Sequence, residues 1–141
     1  MRSYFDWGYL PNMRLNETST LASDMCRRKI YAEWRRYWDV TKPILVEKTP
    51  RHMLMTRLLQ HWFGANRTFF ILLLRHPLAT MRDLWENTDR SVGFQDCGER
   101  ALEHWLYIHR ILFEDVPHLH SCVAVHFETL SLGNTTGLLM L

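Results

Sequence analysis

The chain reads as a single α/β domain, residues 1–141, in which helices flank a parallel sheet, and three observations lead there. Helix-like and strand-like segments alternate along it. Its strongest strand candidate, Phe69–Leu74, is apolar at every position instead of every second one, as strands covered on both faces are. A length of 141 residues makes one domain of ordinary size with a sizeable core. Hydrophobic residues make up 47% of the chain, which excludes a compositionally disordered polymer. Lys+Arg 17 against Asp+Glu 15 leaves a net charge of +2, too little for a dedicated nucleic-acid binder, so any phosphate chemistry has to use local charge. The longest apolar run is Phe69–Leu74, too short to span a bilayer or form a signal-peptide core.

Met1 to Thr20 lacks a period and reads as loop. From Leu21 to Trp38 a helical period places Leu21, Met25, Ile30, Trp34, Tyr37 and Trp38 mostly on one face, with Arg27, Arg28, Lys29, Arg35 and Arg36 interleaved as a solvated basic face. Pro43 resets the chain, and Ile44–Val46 is a short strand candidate ending at Glu47 and Lys48. Thr49-Pro50 starts a helix over about 50–63, because Thr caps free backbone N–H groups and Pro suits the first helical position. That helix carries Leu54, Leu58, Leu59 and Trp62 at three-and-four spacing and stops at Gly64. Phe69–Leu74 follows as a fully buried strand with Arg75 at its carboxyl end, and His76-Pro77 opens a helix to about Trp85.

Asn87 to Gly98 reads as a surface loop. A strongly amphipathic helix spans about Glu99 to Asp115, with Leu102, Trp105, Leu106, Ile108, His109, Leu112 and Phe113 toward the core, and Pro117 ends it. Cys122–Phe127 is the last strand candidate, and Ser131–Leu141 shows no element. Cys26, Cys97 and Cys122 have no CxxC spacing, so no structural metal is expected, and an odd number cannot pair fully within one chain. Sequons at Asn16, Asn66 and Asn134 lean slightly toward a secretory lumen and glycosylation.

Ligands of open α/β sheets gather at the carboxyl ends of the strands, where helix N-termini converge. Three polar groups fall at that edge: Glu47 with Lys48, Arg75 with His76, and Glu128. A strand-end Arg beside a helix N-terminus suits phosphate, since guanidinium grips two oxygens and the helix dipole adds its positive end. The competing reading of Arg75 is a structural pair with a neighbouring carboxylate.

Val46-Glu47-Lys48-Thr49-Pro50, then Phe69 to Arg75 continued by His76-Pro77-Leu78-Ala79, then Val125-His126-Phe127-Glu128-Thr129-Leu130 resemble, in order and spacing, the middle of a PAPS-dependent sulfotransferase of the carbohydrate or heparan-sulfate type. The resemblance covers about residues 38–130. It implies a P-loop-like parallel sheet, PAPS as donor substrate, no metal, and a hydroxyl acceptor, carbohydrate by expectation. It implies that Arg75 binds the donor's 3′-phosphate and that Lys48 sits beside the sulfuryl group or an acidic acceptor. Glu47 is a candidate general base, weighed against a paired strand-end carboxylate. The family address implied is the Golgi lumen.

Departures from the family pattern are specific. The family's donor Ser lies eight residues after the Arg, where this chain has Asp83, whose charge opposes a phosphate and is able instead to pair with Arg75; Thr80, on the same helical face, is the substitute hydroxyl. Phe5-Asp6-Trp7 resembles a stretch followed in the heparan-sulfate enzymes by a Glu base, and Gly8 follows here. The Lys/Gly/Thr-type phosphosulfate loop and the central first strand before it have no counterpart, so the expectation is an internal fragment, inactive alone. The alternative function is a non-catalytic remnant binding adenosine 3′,5′-bisphosphate or a partner chain. A nucleotide kinase of similar topology is disfavoured because it too needs a phosphate loop.

Overall fold

The computed structural model describes residues 14–86, 94–133 and 138–140. It is a mixed helix and strand structure built on a small parallel pair flanked by helices. The elements are α1 (Asp24–Trp34), α2 (Thr56–Phe63), β1 (Phe70–Leu74), α3 (Pro77–Glu86), α4 (Phe94–Asp115), β2 (Cys122–His126), α5 (Phe127–Ser131) and β3 (Leu138–Met140), with short 3-10 turns between several of them. β1 and β2 run parallel in a register from Phe70 opposite Cys122 to Leu74 opposite His126. β3 adds to the far side of β2 in the antiparallel sense, so the sheet order is β1-β2-β3.

One face of the sheet carries Leu72, Leu74, Cys122 and Ala124 and packs on Leu112 of α4. A second cluster, Leu58, Leu59 and Trp62 of α2, collects Ala22, Cys26, Ile30 and Trp34 from the α1 region and Phe70 from the sheet. Leu58 is fully buried, so trimming it to Ala costs about 2–5 kcal/mol. Gly64 ends α2 at a φ of +89°, a left-handed conformation that a side chain resists. The ends of α4 and α2 are joined by Asp115, which is entirely buried: it accepts from Arg14 Nε at 3.0 Å, from Arg14 Nη2, and from Thr56 Oγ1 at 3.1 Å.

The sequence expectations need correction in several places. Ile44–Val46 is not a strand; it is extended and solvent-exposed, because no neighbouring strand among the described residues offers it a ladder. The Phe69–Leu74 strand begins at Phe70 and is not buried throughout: Ile71 is 67% and Leu73 51% exposed on the face away from α4. The helix expected from Leu21 starts at Asp24, where the Ser23 side chain caps Cys26 N. Its core row is Ala22, Cys26, Ile30 and Trp34, and Leu21, Met25 and Tyr37 stand out in solvent. The 50–63 helix is a 3-10 turn followed by α2, broken at Met55.

Part of the expected 87–98 loop is helix, since α4 begins at Phe94; residues 87–93 lie outside the described set. Of the α4 face expected toward the core, His109 and Leu112 are buried and Trp105 and Ile108 half-buried, while Leu102, Leu106 and Phe113 are exposed and Ala101, Ile111 and Asp115 are buried in their place. The last strand stops at His126 and Phe127 opens α5, and the tail expected to lack elements carries β3. Met1 to Met13, with Phe5-Asp6-Trp7-Gly8, and Asn134 lie outside the described residues.

Candidate functional site

A cleft of about 490 Å³ opens at the carboxyl ends of β1 and β2, bounded by Leu74, Arg75, His76, Trp105, His109 and Glu128 among others. The parallel register puts both strand ends on one side, so the turn into α3 and the turn into α5 become neighbours. Glu128 joins them: its Oε1 accepts the backbone N–H of His76 at 2.8 Å. That bond, with its own backbone N–H and the nearby His76 and His126, holds the Glu128 carboxyl below its ordinary value. His76 in turn caps α3, its Nδ1 accepting from Leu78 N at 3.2 Å. The strand-end turn is therefore fixed by side chains on both of its flanks.

Arg75 leaves this turn half-buried. Its Nη1 pairs with Asp83 Oδ2 one turn and a half along α3, and its guanidinium lies over the Phe127 ring, 5.0 Å from the centroid. Nε is buried and finds no acceptor among the described residues. The Arg75 carbonyl accepts from Trp105 Nε1 at 3.1 Å, so α4 also grips the turn. Thr80 Oγ1 donates back to His76 O at 3.3 Å, which leaves its lone pairs open and its proton engaged.

The wall from α4 was not foreseen. His109 stacks on Trp105 with centroids 3.8 Å apart and planes 19° from parallel. Its Nδ1 lies 2.7 Å from Trp105 O; a carbonyl only accepts, so Nδ1 carries the proton and Nε2 the lone pair, without a partner among the described residues. Burial pushes the His109 pKa down and favours this neutral form. The usable signal was the spacing of Trp105 and His109, four residues apart on one helix.

Glu47 and Lys48 stand apart. They lie in the exposed extended segment before the 3-10 turn at Pro50, Glu47 Oε1 accepts from Thr49 Oγ1 at 2.9 Å, and neither borders the cleft. Arg75 and Asp83 are thus brought together, Thr80 stands on the same helix as Asp83, and the Glu47-Lys48 pair is not brought to them. Among the described residues no group of three His, Cys, Asp or Glu is placed to hold a metal ion, and no helix is long and apolar enough to cross a membrane. No family model, no curated protein and no solved structure matches this chain.

Proposed function

We propose that the chain carries the nucleotide 3′-phosphate half of a PAPS-dependent sulfotransferase site on a P-loop-like sheet, with a carbohydrate hydroxyl as the acceptor class and the Golgi lumen as the place of action. The observation that carries this reading is Arg75, a strand-end guanidinium at the mouth of a cleft whose flanking turn is fixed by Glu128, His76 and Trp105. The residues fit a phosphate in one respect and oppose it in another. Arg75 offers a cation with an unsatisfied Nε, while Asp83 holds the Nη1 that a phosphate would take.

Sulfuryl transfer breaks the S–O bond to the nucleotide's 5′-phosphate and forms one to the acceptor oxygen, whose proton goes to a base. In this chain Arg75 would anchor the far end of the donor, releasing Asp83 as it does so. The residues assigned to the sulfuryl end, Lys48 and the candidate base Glu47, do not border the cleft. The expected behaviour is nucleotide binding without turnover by this chain alone.

The second reading, a non-catalytic remnant in which Arg75 is a structural pair, is favoured by Asp83 and by the separation of Glu47 and Lys48 from the cleft. One assay separates the readings, and a second tests the lack of turnover that both expect. Adenosine 3′,5′-bisphosphate should bind at least tenfold tighter than adenosine 5′-phosphate if the 3′-phosphate meets Arg75, equivalent to about 1.4 kcal/mol. Equal affinities, or no binding of either, would leave Arg75 structural. Radiolabelled transfer from PAPS to a polysaccharide should stay at the uncatalysed level, and turnover would show that the sulfuryl end is complete.

A further inference from the structure

The α4 wall of the cleft holds a group that the 3′-phosphate leaves unused. His109 is only 8% exposed, yet it borders the cleft together with Trp105 and Arg75. Its Nδ1 is turned back to the carbonyl of Trp105 on its own helix at 2.7 Å, and the two nitrogens of an imidazole point to different sides of the ring. Nε2 is therefore directed away from the α4 backbone. It is buried, carries the lone pair, and finds no donor among the described residues. A buried acceptor left unpaired is unfavourable, so a group that donates to it gains more than the same bond would give in water. Arg75, on the same cleft, presents the opposite defect, a buried donor at Nε without an acceptor among the described residues. The two are neighbours in the fold. Trp105 Nε1 donates to Arg75 O at 3.1 Å, and the His109 ring stacks on Trp105 with centroids 3.8 Å apart, so one ring separates His109 from the Arg75 turn.

We propose that His109 Nε2 accepts a hydrogen bond from the ribose 2′-hydroxyl of the bound nucleotide, so that the cleft selects ribonucleotides over deoxyribonucleotides. The inference rests on the nucleotide reading above and adds to it a residue and a sugar. Polarity assigns the partners. A phosphate dianion offers acceptors alone and belongs with Arg75; beside the lone pair of a neutral imidazole it is repelled. His109 needs an N–H or O–H donor. Adenosine 3′,5′-bisphosphate has two kinds, the 2′-hydroxyl and the 6-amino group, and only the hydroxyl sits on the carbon next to the one bearing the 3′-phosphate. With that phosphate on Arg75, the hydroxyl is the donor kept beside the same turn, whereas the amino group lies beyond the sugar at the far edge of the base. Burial, which lowers the His109 pKa, keeps the acceptor present at neutral pH. Glu128, an acceptor that also borders the cleft, has its Oε1 on the His76 N–H.

The test compares adenosine 3′,5′-bisphosphate with its 2′-deoxy analogue by isothermal titration into the full chain. The ribose form should bind about tenfold tighter, because the deoxy sugar leaves Nε2 unpaired. His109→Phe keeps a ring against Trp105 and removes the acceptor, and it should close the gap between the two nucleotides. Circular dichroism checks that the variant keeps its helices. A second readout needs no variant and decides the matter should His109→Phe fail to fold: the Nε2 nitrogen-15 resonance of His109 should move when the ribose form binds and stay in place when the deoxy form does. Equal affinity of the wild type for the two nucleotides, with both lost in Arg75→Ala, overturns this inference and leaves the nucleotide reading standing. A ribose preference that His109→Phe keeps and Glu128→Gln abolishes gives the contact to Glu128 and overturns it as well. Failure of the wild type to bind either nucleotide removes the nucleotide reading and this inference with it.

Discussion

Two arginine–aspartate pairs tie this molecule together, and they differ in what surrounds the aspartate. Asp115 is wholly buried and receives two bonds from Arg14 and a third from Thr56, joining a segment at the start of the described chain to α4 and α2. Asp83 receives Arg75 with 48% of its side chain exposed, and Arg75 itself is 36% exposed. A buried carboxylate stripped of its partner has no water to turn to, so the first pair is structural. A half-exposed pair is screened and dissolves at little cost, so the second is able to exchange its carboxylate for another anion. The same two residue types thus make a joint in one place and a candidate ligand site in the other, and burial decides which.

The largest effect expected from this contrast is on stability. Asp115→Ala should lower the unfolding free energy by about 3 kcal/mol, read by urea titration, because it leaves the buried Thr56 hydroxyl unpaired and takes the acceptor from Arg14 Nε and Nη2, with only Nη1 still held by Glu114. Asp83→Ser should change stability by under about 0.5 kcal/mol and instead tighten adenosine 3′,5′-bisphosphate binding by up to tenfold, the gain shrinking as salt screens the repulsion. Comparable destabilisation by the two substitutions would erase the distinction between the pairs.

A further expectation concerns pH. The Glu128 carboxyl, lowered first by the His76 N–H, is charged in the folded chain below the point where it would protonate unfolded, so its grip on the turn is complete above its ordinary value of 4.5 and fades as pH falls through the lowered one. Protection of the His76 amide against hydrogen exchange, corrected for intrinsic rates, should decline in that acid range and be weakened at neutral pH by Glu128→Ala. The smallest effect belongs to Lys48→Ala, which should leave nucleotide affinity within about twofold because the side chain does not border the cleft.

Local signals in the sequence found the strand ends at the cleft, Arg75 with His76 and Glu128, but not its α4 wall of Trp105 and His109. The apolar run ending at Leu74 located β1, and the Thr49-Pro50 start with Leu54, Leu58, Leu59 and Trp62 located the buried row at and after the 3-10 turn. The eight-residue interval between Arg75 and Asp83 allowed their pairing to be anticipated. What escaped depends on distant partners. Ile44–Val46 has the composition of a strand, yet a strand exists only where another chain segment supplies hydrogen bonds. The phase of α4 escaped because apolar residues surround much of the helix, so spacing alone did not say that Leu102, Leu106 and Phe113 would face solvent. Nothing beside Asp115 in the sequence marks it as buried; Arg14, 101 residues away, and Thr56 make it a core residue.

An exchangeable Arg75 cation, as against a fixed strut, should meet a nucleotide's 3′-phosphate. Isothermal titration of adenosine 3′,5′-bisphosphate into the wild-type chain and into Arg75→Ala, at low ionic strength, tests this most directly. Saturable binding by the wild type that falls below detection in Arg75→Ala, with the variant still folded, is the predicted result; wild-type binding that Arg75→Ala retains within about twofold, well under 1 kcal/mol, would contradict it.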